Sequence, residues 1–341
     1  MIDPSLPLID LHHHLDGSVR LETILDLGQQ HGLELPGNDQ ESLRPFVQVT
    51  EPKADIMEFI AKFEWMIGVL VDYAACERIG YENVLDAEAE GIDYIELRFS
   101  PLFMAQPHGL EPAGIVEAVA KGVRRAEAET GVRANLIGII SRHFGPEAAM
   151  GELEALLSQK DKLVGLDLAG DEANFPGELF VAHFARARKA GWGITVHAGE
   201  AAGAESIWQA IRGLGATRIG HAVRALEDPD LVEYMVENGI GVEANLTSNV
   251  QTSTVPSYAA HPLKAMLEAG LLATINSDDP GISNIDLPYE YTVAAPKAGL
   301  TQAQIAQAQA NALELAFLPA AEKDALRERA MHRTVKETAH E

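Results

Sequence analysis

A histidine cluster near the start of the chain carries the first chemistry that the sequence suggests. It lies in the segment Asp10-Leu-His-His-His-Leu-Asp-Gly17, at the end of a short apolar run. Residues two apart on an extended strand point to the same side, so His12 and His14 can bind one ion while His13 faces away. A solvated histidine cluster would show the same triplet. The metal interpretation therefore needs further ligands elsewhere in the chain.

Histidine and acidic residues also follow three later apolar runs. They occur in the segments Thr195-Val-His-Ala-Gly-Glu200, Ile219-Gly-His221 and Ile275-Asn-Ser-Asp-Asp-Pro280. Each has a structural alternative: a strand-end histidine that is only hydrogen-bonded, a glutamate that complements a helix dipole, and an N-cap role for Asp279 before Pro280. The adjacent carboxylates of Asp278 and Asp279 repel one another, however, and a bound cation would offset that cost.

Four of these side chains form a candidate metal site. They are His12, His14, His197 and Asp278. Three nitrogens and one carboxylate, with no thiolate, suit one zinc ion per chain with an open position for water, although Fe²⁺ or Co²⁺ use similar ligands. Zinc lowers the pKa of a bound water to roughly 7. His221 is then placed to accept the water proton, and Glu200 is the candidate acid that protonates the atom receiving charge.

Eight short β-rich runs alternate with amphipathic helical patterns along the chain. The predicted strands are Leu6–Leu11, Tyr94–Phe99, Ala134–Ile140, Val164–Leu168, Ile194–Val196, Arg218–Gly220, Gly241–Glu243 and Leu272–Ile275. The predicted helices include Pro112–Glu129, Glu178–Ala190, Ala204–Leu214, Asp228–Asn238 and His261–Ala269. This alternation favours an α/β fold, a (β/α)₈ TIM barrel, over an open doubly wound sheet, because no glycine-rich dinucleotide loop follows the first strand. Active sites of such barrels lie at the C-terminal ends of the strands, where the histidines and acidic residues stand.

The connection between the first two predicted strands is too long for one helix. We expect a helical insertion at about residues 40–90 that covers the active-site mouth of a single domain spanning residues 1–341. Ile56, Phe59, Ile60 and Phe63 fall on one face of a helix there. These side chains either pack against the barrel as ordinary core or form an apolar lid over the mouth.

Composition and charge argue against several classes of partner. The chain has 341 residues, with 26 Lys+Arg against 51 Asp+Glu and a formal net charge of −25. Such a charge repels nucleic acid and anionic membrane surfaces. A single cysteine, Cys76, excludes an internal disulfide framework. The start lacks a signal-peptide pattern and no run is long enough to span a bilayer, so we expect a cytoplasmic protein.

With these residues in view, the chain resembles the adenosine deaminase family, within the zinc amidohydrolase superfamily. The matching motifs are short, but they occur in family order across nearly the whole chain. They are His12-His-His-Leu-Asp-Gly17, Tyr94-Ile-Glu-Leu-Arg-Phe-Ser-Pro101, Gly165-Leu-Asp-Leu-Ala-Gly-Asp-Glu172, His197-Ala-Gly-Glu200, Gly220-His221, Leu246-Thr-Ser-Asn249 and Ser277-Asp-Asp-Pro280. The segments 246–255 and 290–296 look like those of bacterial members.

The resemblance implies a role for each site residue. It implies zinc ligation by the four residues named above, with Asp278 and the catalytic histidine His221 stabilising charge at the attacking oxygen. Glu200 is implied as the proton donor to purine N1. The implied substrate contacts are Asp279 at purine N7, the Gly170 backbone at N3, and Asp16 with His14 at the ribose 5′-hydroxyl. A carboxyl group that meets unprotonated N7 must itself carry the proton, so Asp279 needs a raised pKa.

The implied reaction is hydrolytic deamination at C6 of adenosine or 2′-deoxyadenosine, a step of purine salvage that releases ammonia. The partner is thus a small purine nucleoside, and oligomeric state is not predicted. Adenine, AMP or another 6-aminopurine derivative is the alternative substrate, and a catalytically silent nucleoside-binding barrel is the alternative outside enzymes. Arg98 lies in a strand, so we expect it to pair with a neighbouring carboxylate rather than to bind a phosphate.

One residue departs from the family pattern. The position between the two N-terminal ligands is usually apolar, whereas here it is His13. Strand alternation turns this side chain away from the metal. We therefore expect a packed or hydrogen-bonded histidine there.

Overall fold

Eight parallel strands form the centre of the computed structural model, which describes residues 1–49, 59 and 61–338, with side chains described as far as Arg333. Each strand pairs with the next along the chain, in the order β1 to β8. The strands are β1 Ile9–His14, β2 Tyr94–Phe99, β3 Arg133–Ser141, β4 Gly165–Ala169, β5 Gly193–Ala198, β6 Arg218–His221, β7 Gly241–Ala244 and β8 Leu272–Ile275. The predicted (β/α)₈ barrel is confirmed.

The seam between β8 and β1 is closed by one residue rather than by a strand ladder. The backbone N–H of Asp278 donates to His12 O at 2.8 Å, and the N–H of His14 donates to Asp278 O at 2.7 Å. This pairing fixes the backbones of three predicted metal ligands against one another.

Helices surround the strands and cover the apolar outer face of the barrel. The described α-helices before β8 are α1 Leu21–His31, α2 Gln40–Val47, α3 Phe63–Gly68, α4 Tyr73–Ala89, α5 Pro101–Ala105, α6 Pro112–Thr130, α7 Gly145–Ser158, α8 Val181–Lys189, α9 Ala204–Gln209, α10 Pro229–Glu237, α11 Leu246–Gln251 and α12 Leu263–Glu268. After β8 come α13 Pro280–Ser283, α14 Leu287–Tyr289, α15 Ala295–Lys297, α16 Gln302–Leu315 and α17 Ala320–Thr338. Helix α6 illustrates the local code: a proline opens it, Gly131 with φ 79° ends it, and one face buries Ile115, Val119 and Val123.

The main boundary error concerns the first strand. It was expected over Leu6–Leu11 but runs from Ile9 to His14. Because histidine is polar, the apolar run that guided the prediction ends too early, whereas in the fold all six residues are buried. Two predicted helices contain more than one helix type. The helix predicted over Glu178–Ala190 begins with the 3₁₀ turn Gly177–Phe180 before α8, and the one predicted over Ala204–Leu214 ends in the π turn Ala210–Leu214 after α9.

The interior of the barrel is polar, unlike the branched aliphatic filling that is usual for this fold. Fully buried charged side chains point into it from several strands. They are Glu96, Arg98, Asp167, Arg218 and Glu243. The apolar core lies instead between the strands and the surrounding helices.

Part of the predicted insertion falls on described residues. Phe59 and Phe63 are buried and line the cavity described below, with ring centroids 6.4 Å apart. Ile56 and Ile60, which were expected on the same face, lie outside the described residues. Over the described part of the chain, no helix combines the length and the apolar character that crossing a membrane requires.

Candidate active site

The predicted metal ligands converge at the C-terminal end of the barrel. The Nε2 atom of His197 lies 3.1 Å from His12 Nε2 and 3.2 Å from His14 Nε2. The Oδ1 atom of Asp278 lies 3.1 Å from His12 Nε2 and 3.4 Å from His14 Nε2. Ligands about 2.0 Å from a tetrahedral metal ion would be separated by about 3.3 Å, so these four atoms have the spacing of such a site.

Hydrogen bonds direct the histidine lone pairs at one another. His12 Nδ1 lies 2.8 Å from Glu243 Oε2, and His197 Nδ1 lies 2.9 Å from Asp167 Oδ2. Because carboxylates accept the proton at Nδ1, both Nε2 atoms are unprotonated acceptors facing each other at 3.1 Å. A cation between them removes this conflict, so the residues fit a bound metal ion.

A fourth histidine, His221, lies at the edge of this cluster. Possible ligand atoms lie within 4.8 Å of one another in two sets. One set is His12, His197, His221 and Asp278, and the other is His14, Asp278 and Asp279. The shorter distances favour His14 over His221 as a ligand, because His221 Nε2 is 3.9 Å from Asp278 Oδ2. His221 therefore lies at the edge of the four candidate ligands.

The two side chains at the ends of β6 and β8 are held on strained backbone. His221 has φ 63° and Asp278 has φ 64°, in the left-handed region that residues with a side chain rarely adopt. Such strain costs about 1–3 kcal/mol and persists where the surrounding structure enforces it. Here it turns a histidine and a carboxylate inward at the top of the barrel.

Buried residues below the metal ligands connect them to one another. Arg98 Nη1 donates to Asp167 Oδ2 at 2.9 Å, and Arg98 Nη2 donates to Glu243 Oε2 at 2.8 Å. The expectation that Arg98 pairs with carboxylates is therefore confirmed. Its positive charge, together with the adjacent histidines, holds the pKa of Asp167 well below its usual range despite the opposing effect of burial.

Sequence reasoning did not identify these supporting carboxylates. Asp167 and Glu243 each interrupt an apolar strand, in Gly165-Leu-Asp-Leu and Gly241-Val-Glu-Ala. An acidic residue in the middle of a buried strand was the available signal.

Glu200 follows β5 on a loop that another glutamate anchors. The carboxylate of Glu172 accepts the backbone N–H groups of Gly199 at 2.7 Å and of Glu200 at 3.1 Å. It also accepts those of Ala201 at 2.7 Å and Ala202 at 3.0 Å. Burial and the negative charge of Asp278 raise the pKa of Glu200 well above its ordinary value. This raised pKa favours the protonated form of Glu200, which lies beside the candidate metal ligands.

Asp279 and Asp16 present unused oxygens to the same space. In each residue Oδ1 is buried and has no hydrogen-bond partner among the described residues. Burial and the charge of Asp278 raise the pKa of Asp279 well above its ordinary value, although His14 opposes this. Burial lowers the pKa of His14, but the surrounding carboxylates outweigh it and raise the value to about 9. Unpaired buried oxygens in a cleft indicate a site for a ligand.

These side chains line one cavity with about 670 Å³ of empty space, including its opening. Phe59, Phe63 and Phe103 form an apolar wall. The other described lining residues are His14, Asp16, Ser100, Ile139, Ser141, His143, Ala169, Gly170, His197, Glu200, His221, Ser248, Thr252, Asp278 and Asp279. An apolar wall facing convergent polar groups is typical of a small-molecule site.

Gly170 and His13 occupy positions that agree with their expected surroundings. Gly170 lines the cavity at φ 103°, where a Cβ atom would lie 2.7 Å from His143 Nδ1, so only glycine leaves the backbone accessible. His13 faces away from the cavity. Its Nδ1 lies 3.0 Å from Ser277 Oγ and its Nε2 lies 3.0 Å from Asn83 Oδ1.

Comparisons with known proteins agree with this arrangement. A relative from Edwardsiella ictaluri, named adenosine deaminase, is 58% identical over 328 residues, covering 96% of this chain and 98% of the relative. The solved structure of an adenine deaminase from Arthrobacter aurescens has a TM-score of 0.89 at 28% identity, covering 97% of this chain and 99% of that one. An N6-methyl-AMP deaminase from Arabidopsis thaliana has a TM-score of 0.80 at 26% identity, covering 96% of each chain.

The family model for adenosine deaminase matches residues 7–333. That span contains every strand of the barrel and every residue of the cavity. This chain belongs to the adenosine deaminase family.

Proposed function

We propose that this protein hydrolytically deaminates adenosine and 2′-deoxyadenosine to inosine and 2′-deoxyinosine, with release of ammonia. One observation carries the proposal: Glu200 lines the same cavity as His14, His197 and Asp278, and His12 Nε2 lies 3.1 Å from His197 Nε2. Hydrolysis at an aromatic amidine carbon needs both an activated water and an acid that protonates the ring. The helices between β1 and β2 cover this cavity as part of a single hydrolase domain.

One zinc ion per chain is the proposed cofactor, held by His12, His14, His197 and Asp278. The donor set of three imidazoles and one carboxylate suits zinc with an open position. When bound, the ion supplies Lewis-acid chemistry and lowers the pKa of water. The chain's own contribution begins with Glu243 and Asp167, which keep the Nε2 lone pairs of His12 and His197 available.

Glu200 is the proposed proton donor to purine N1. Its raised pKa keeps the proton on the carboxyl group until the ring nitrogen gains charge. The four backbone N–H groups that Glu172 binds hold the loop in place, so the acid stays oriented towards the cavity. The strained His221 and Asp278 face the position of the attacking oxygen, where fixed polar groups stabilise developing charge most strongly.

The remaining polar groups of the cavity are proposed to orient the nucleoside. Asp279, whose raised pKa favours the protonated form, donates to N7, and the accessible backbone N–H of Gly170 donates to N3. Asp16, whose Oδ1 atom is unused, accepts the ribose 5′-hydroxyl beside His14. The phenylalanine wall packs against the base and excludes water.

Adenine and AMP are the competing substrates. A phosphate would need cationic partners, yet none of the described residues that line the cavity is lysine or arginine. Adenine would leave Asp16 without the hydroxyl that it is proposed to bind. Both features favour the nucleoside.

Parallel assays with adenosine, 2′-deoxyadenosine, adenine and AMP test the proposal on the metal-loaded protein. We expect both nucleosides to be deaminated with kcat/KM at least about a hundredfold above adenine and AMP, because unsatisfied buried polar groups discriminate strongly. A preference for adenine or AMP would overturn the substrate assignment. Binding of adenosine without any turnover would instead support the silent barrel.

A further inference from the structure

The motif that ends in Asn249 has no role in the chemistry described so far. The motif begins α11, directly after β7. The side chain of Asn249 contacts the catalytic histidine, His221. Asn249 Nδ2 lies 2.9 Å from His221 Nδ1. Asn245 Nδ2 lies 3.3 Å from the same nitrogen and 3.5 Å from Nε2. Glu200 Oε1 is farther from it, at 3.6 Å. Amide groups thus surround the Nδ1 side of His221.

A backbone group fixes the direction of these hydrogen bonds. The N–H of Leu263, at the start of α12, lies 3.1 Å from His261 Nδ1 and can only donate. His261 is buried, and burial lowers its pKa to about 3, so the ring is neutral. Because Nδ1 accepts, the single ring proton of His261 is on Nε2.

The proton on His261 in turn orients Asn249. His261 Nε2 lies 3.1 Å from Asn249 Oδ1, which accepts its proton. Rotating the amide by 180° would place its NH₂ group against a protonated nitrogen, so that orientation is excluded. The NH₂ group of Asn249 therefore points at His221 and donates to Nδ1.

We propose that His261 and Asn249 are positioning residues that hold His221 in the tautomer with its proton on Nε2. This inference rests on the proposed function and refines the part that His221 plays in it. In this tautomer Nε2, which faces Asp278, has no free lone pair. His221 then stabilises the attacking oxygen by donating a hydrogen bond, rather than by accepting its proton through Nε2.

Nitrogen-15 NMR of the metal-loaded, histidine-labelled full chain tests the inference without substrate. His221→Gln identifies the His221 signals by their loss. We expect an unprotonated Nδ1 and a protonated Nε2 in the wild-type protein. A protonated Nδ1 would overturn the inference, while adenosine turnover in the same sample would leave the proposed function intact.

Two pairs of variants extend the test. Asn249→Asp replaces the donor by an acceptor, so we expect the proton to move to Nδ1 and kcat to fall about 10- to 100-fold with little change in KM or metal content. Gln251→Glu is the matched control, because it makes the same amide-to-carboxylate change two residues further along α11. Gln251 Nε2 donates to Ser283 O at 3.1 Å, so this variant should leave the His221 tautomer unchanged. An unchanged His221 tautomer in Asn249→Asp would contradict the proposal.

His261 offers the second pair. His261→Gln keeps a donor for Asn249 Oδ1 and should preserve the wild-type tautomer. His261→Phe removes that donor, so we expect the Asn249 amide to rotate and both His221 tautomers to be observed. Identical His221 spectra for these two variants would exclude a relay through His261.

Discussion

The two ends of the barrel both bury charged groups, but they pair them differently. At the N-terminal end, Arg218 Nη2 lies 2.6 Å from Glu96 Oε2, and its guanidinium stacks 3.6 Å from the Phe317 ring centroid. Glu96 also accepts the Tyr94 hydroxyl at 2.8 Å and the Phe317 N–H at 2.6 Å. At the C-terminal end, like groups lie together: the Nε2 atoms of His12 and His197 face each other, and Asp278 is adjacent to Asp279.

This difference separates structural charges from functional ones. At the N-terminal end, Arg218 and Glu96 are opposite charges in direct contact, so each neutralises the other. The C-terminal end retains facing histidine lone pairs and the unpaired oxygens of Asp16 and Asp279. Under the proposed function, a cation and a substrate would complete these groups. Burial alone therefore does not distinguish a site from a core, whereas unsatisfied pairing does.

The largest expected effect comes from removing His12, one of the two histidines whose Nε2 atoms face each other. His12→Ala should lose the bound metal and at least about a thousandfold in kcat/KM, because the ion activates the water. Metal analysis and adenosine turnover measure both quantities. His13→Ala is the matched control, since His13 faces away from the cluster, and it should retain the metal. Loss of metal in His13→Ala with retention in His12→Ala would reverse the ligand assignment.

Removing the acidic proton at the C-terminal end should cost somewhat less. Glu200→Gln should retain the metal but lower kcat by about 10²–10³. The proposed role requires the protonated form, and burial raises the pKa of Glu200 above its ordinary value. Wild-type kcat should therefore persist above the pH at which an ordinary glutamate ionises and fall once rising pH removes the proton. Glu205→Gln, an exposed position on α9, is the control. Near-normal turnover of Glu200→Gln would refute the proton-donor role.

Loosening the loop under Glu200 should have an intermediate effect. Glu172→Gln leaves one oxygen to accept four backbone N–H groups, so we expect Glu200 to be less well oriented and kcat to fall about 10- to 100-fold. Steady-state kinetics and metal analysis measure the result. Unchanged kcat with a folded protein would show that the Glu172 contacts are structural only.

The smallest effect on activity is expected at the N-terminal end. Glu96→Gln leaves Arg218 with an incomplete set of partners, so the free energy of unfolding should fall by about 3 kcal/mol. Denaturant unfolding measures this loss. The kcat of the folded variant should stay within about twofold of wild type. A large loss of kcat without loss of stability would remove the distinction between the two ends.

The sequence predicted the barrel and the site residues for a physical reason. Strand periodicity is local, and every parallel strand of a barrel delivers its last residues to one end, so His12, His197 and His221 could be grouped without knowing any contact. The first strand was placed too early because the apolar run Leu6–Leu11 set its bounds, whereas the polar histidines that follow this run belong to the strand and are buried.

The supporting contacts could not be predicted in the same way. The pairings of Arg98 with Asp167 and with Glu243 depend on the register between strands, which the apolar pattern does not specify. The left-handed backbone of His221 and Asp278 and the links from Leu263 through Asn249 depend on loop geometry. Both kinds of contact arise from tertiary structure alone.

Anomalous diffraction from crystals of the metal-loaded protein, recorded on both sides of the zinc absorption edge, tests the central claim most directly. We expect one zinc peak per chain, about 2.0–2.2 Å from His12 Nε2, His14 Nε2, His197 Nε2 and an oxygen of Asp278. A peak coordinated by His221 in place of His14, or no peak among these residues, would contradict it.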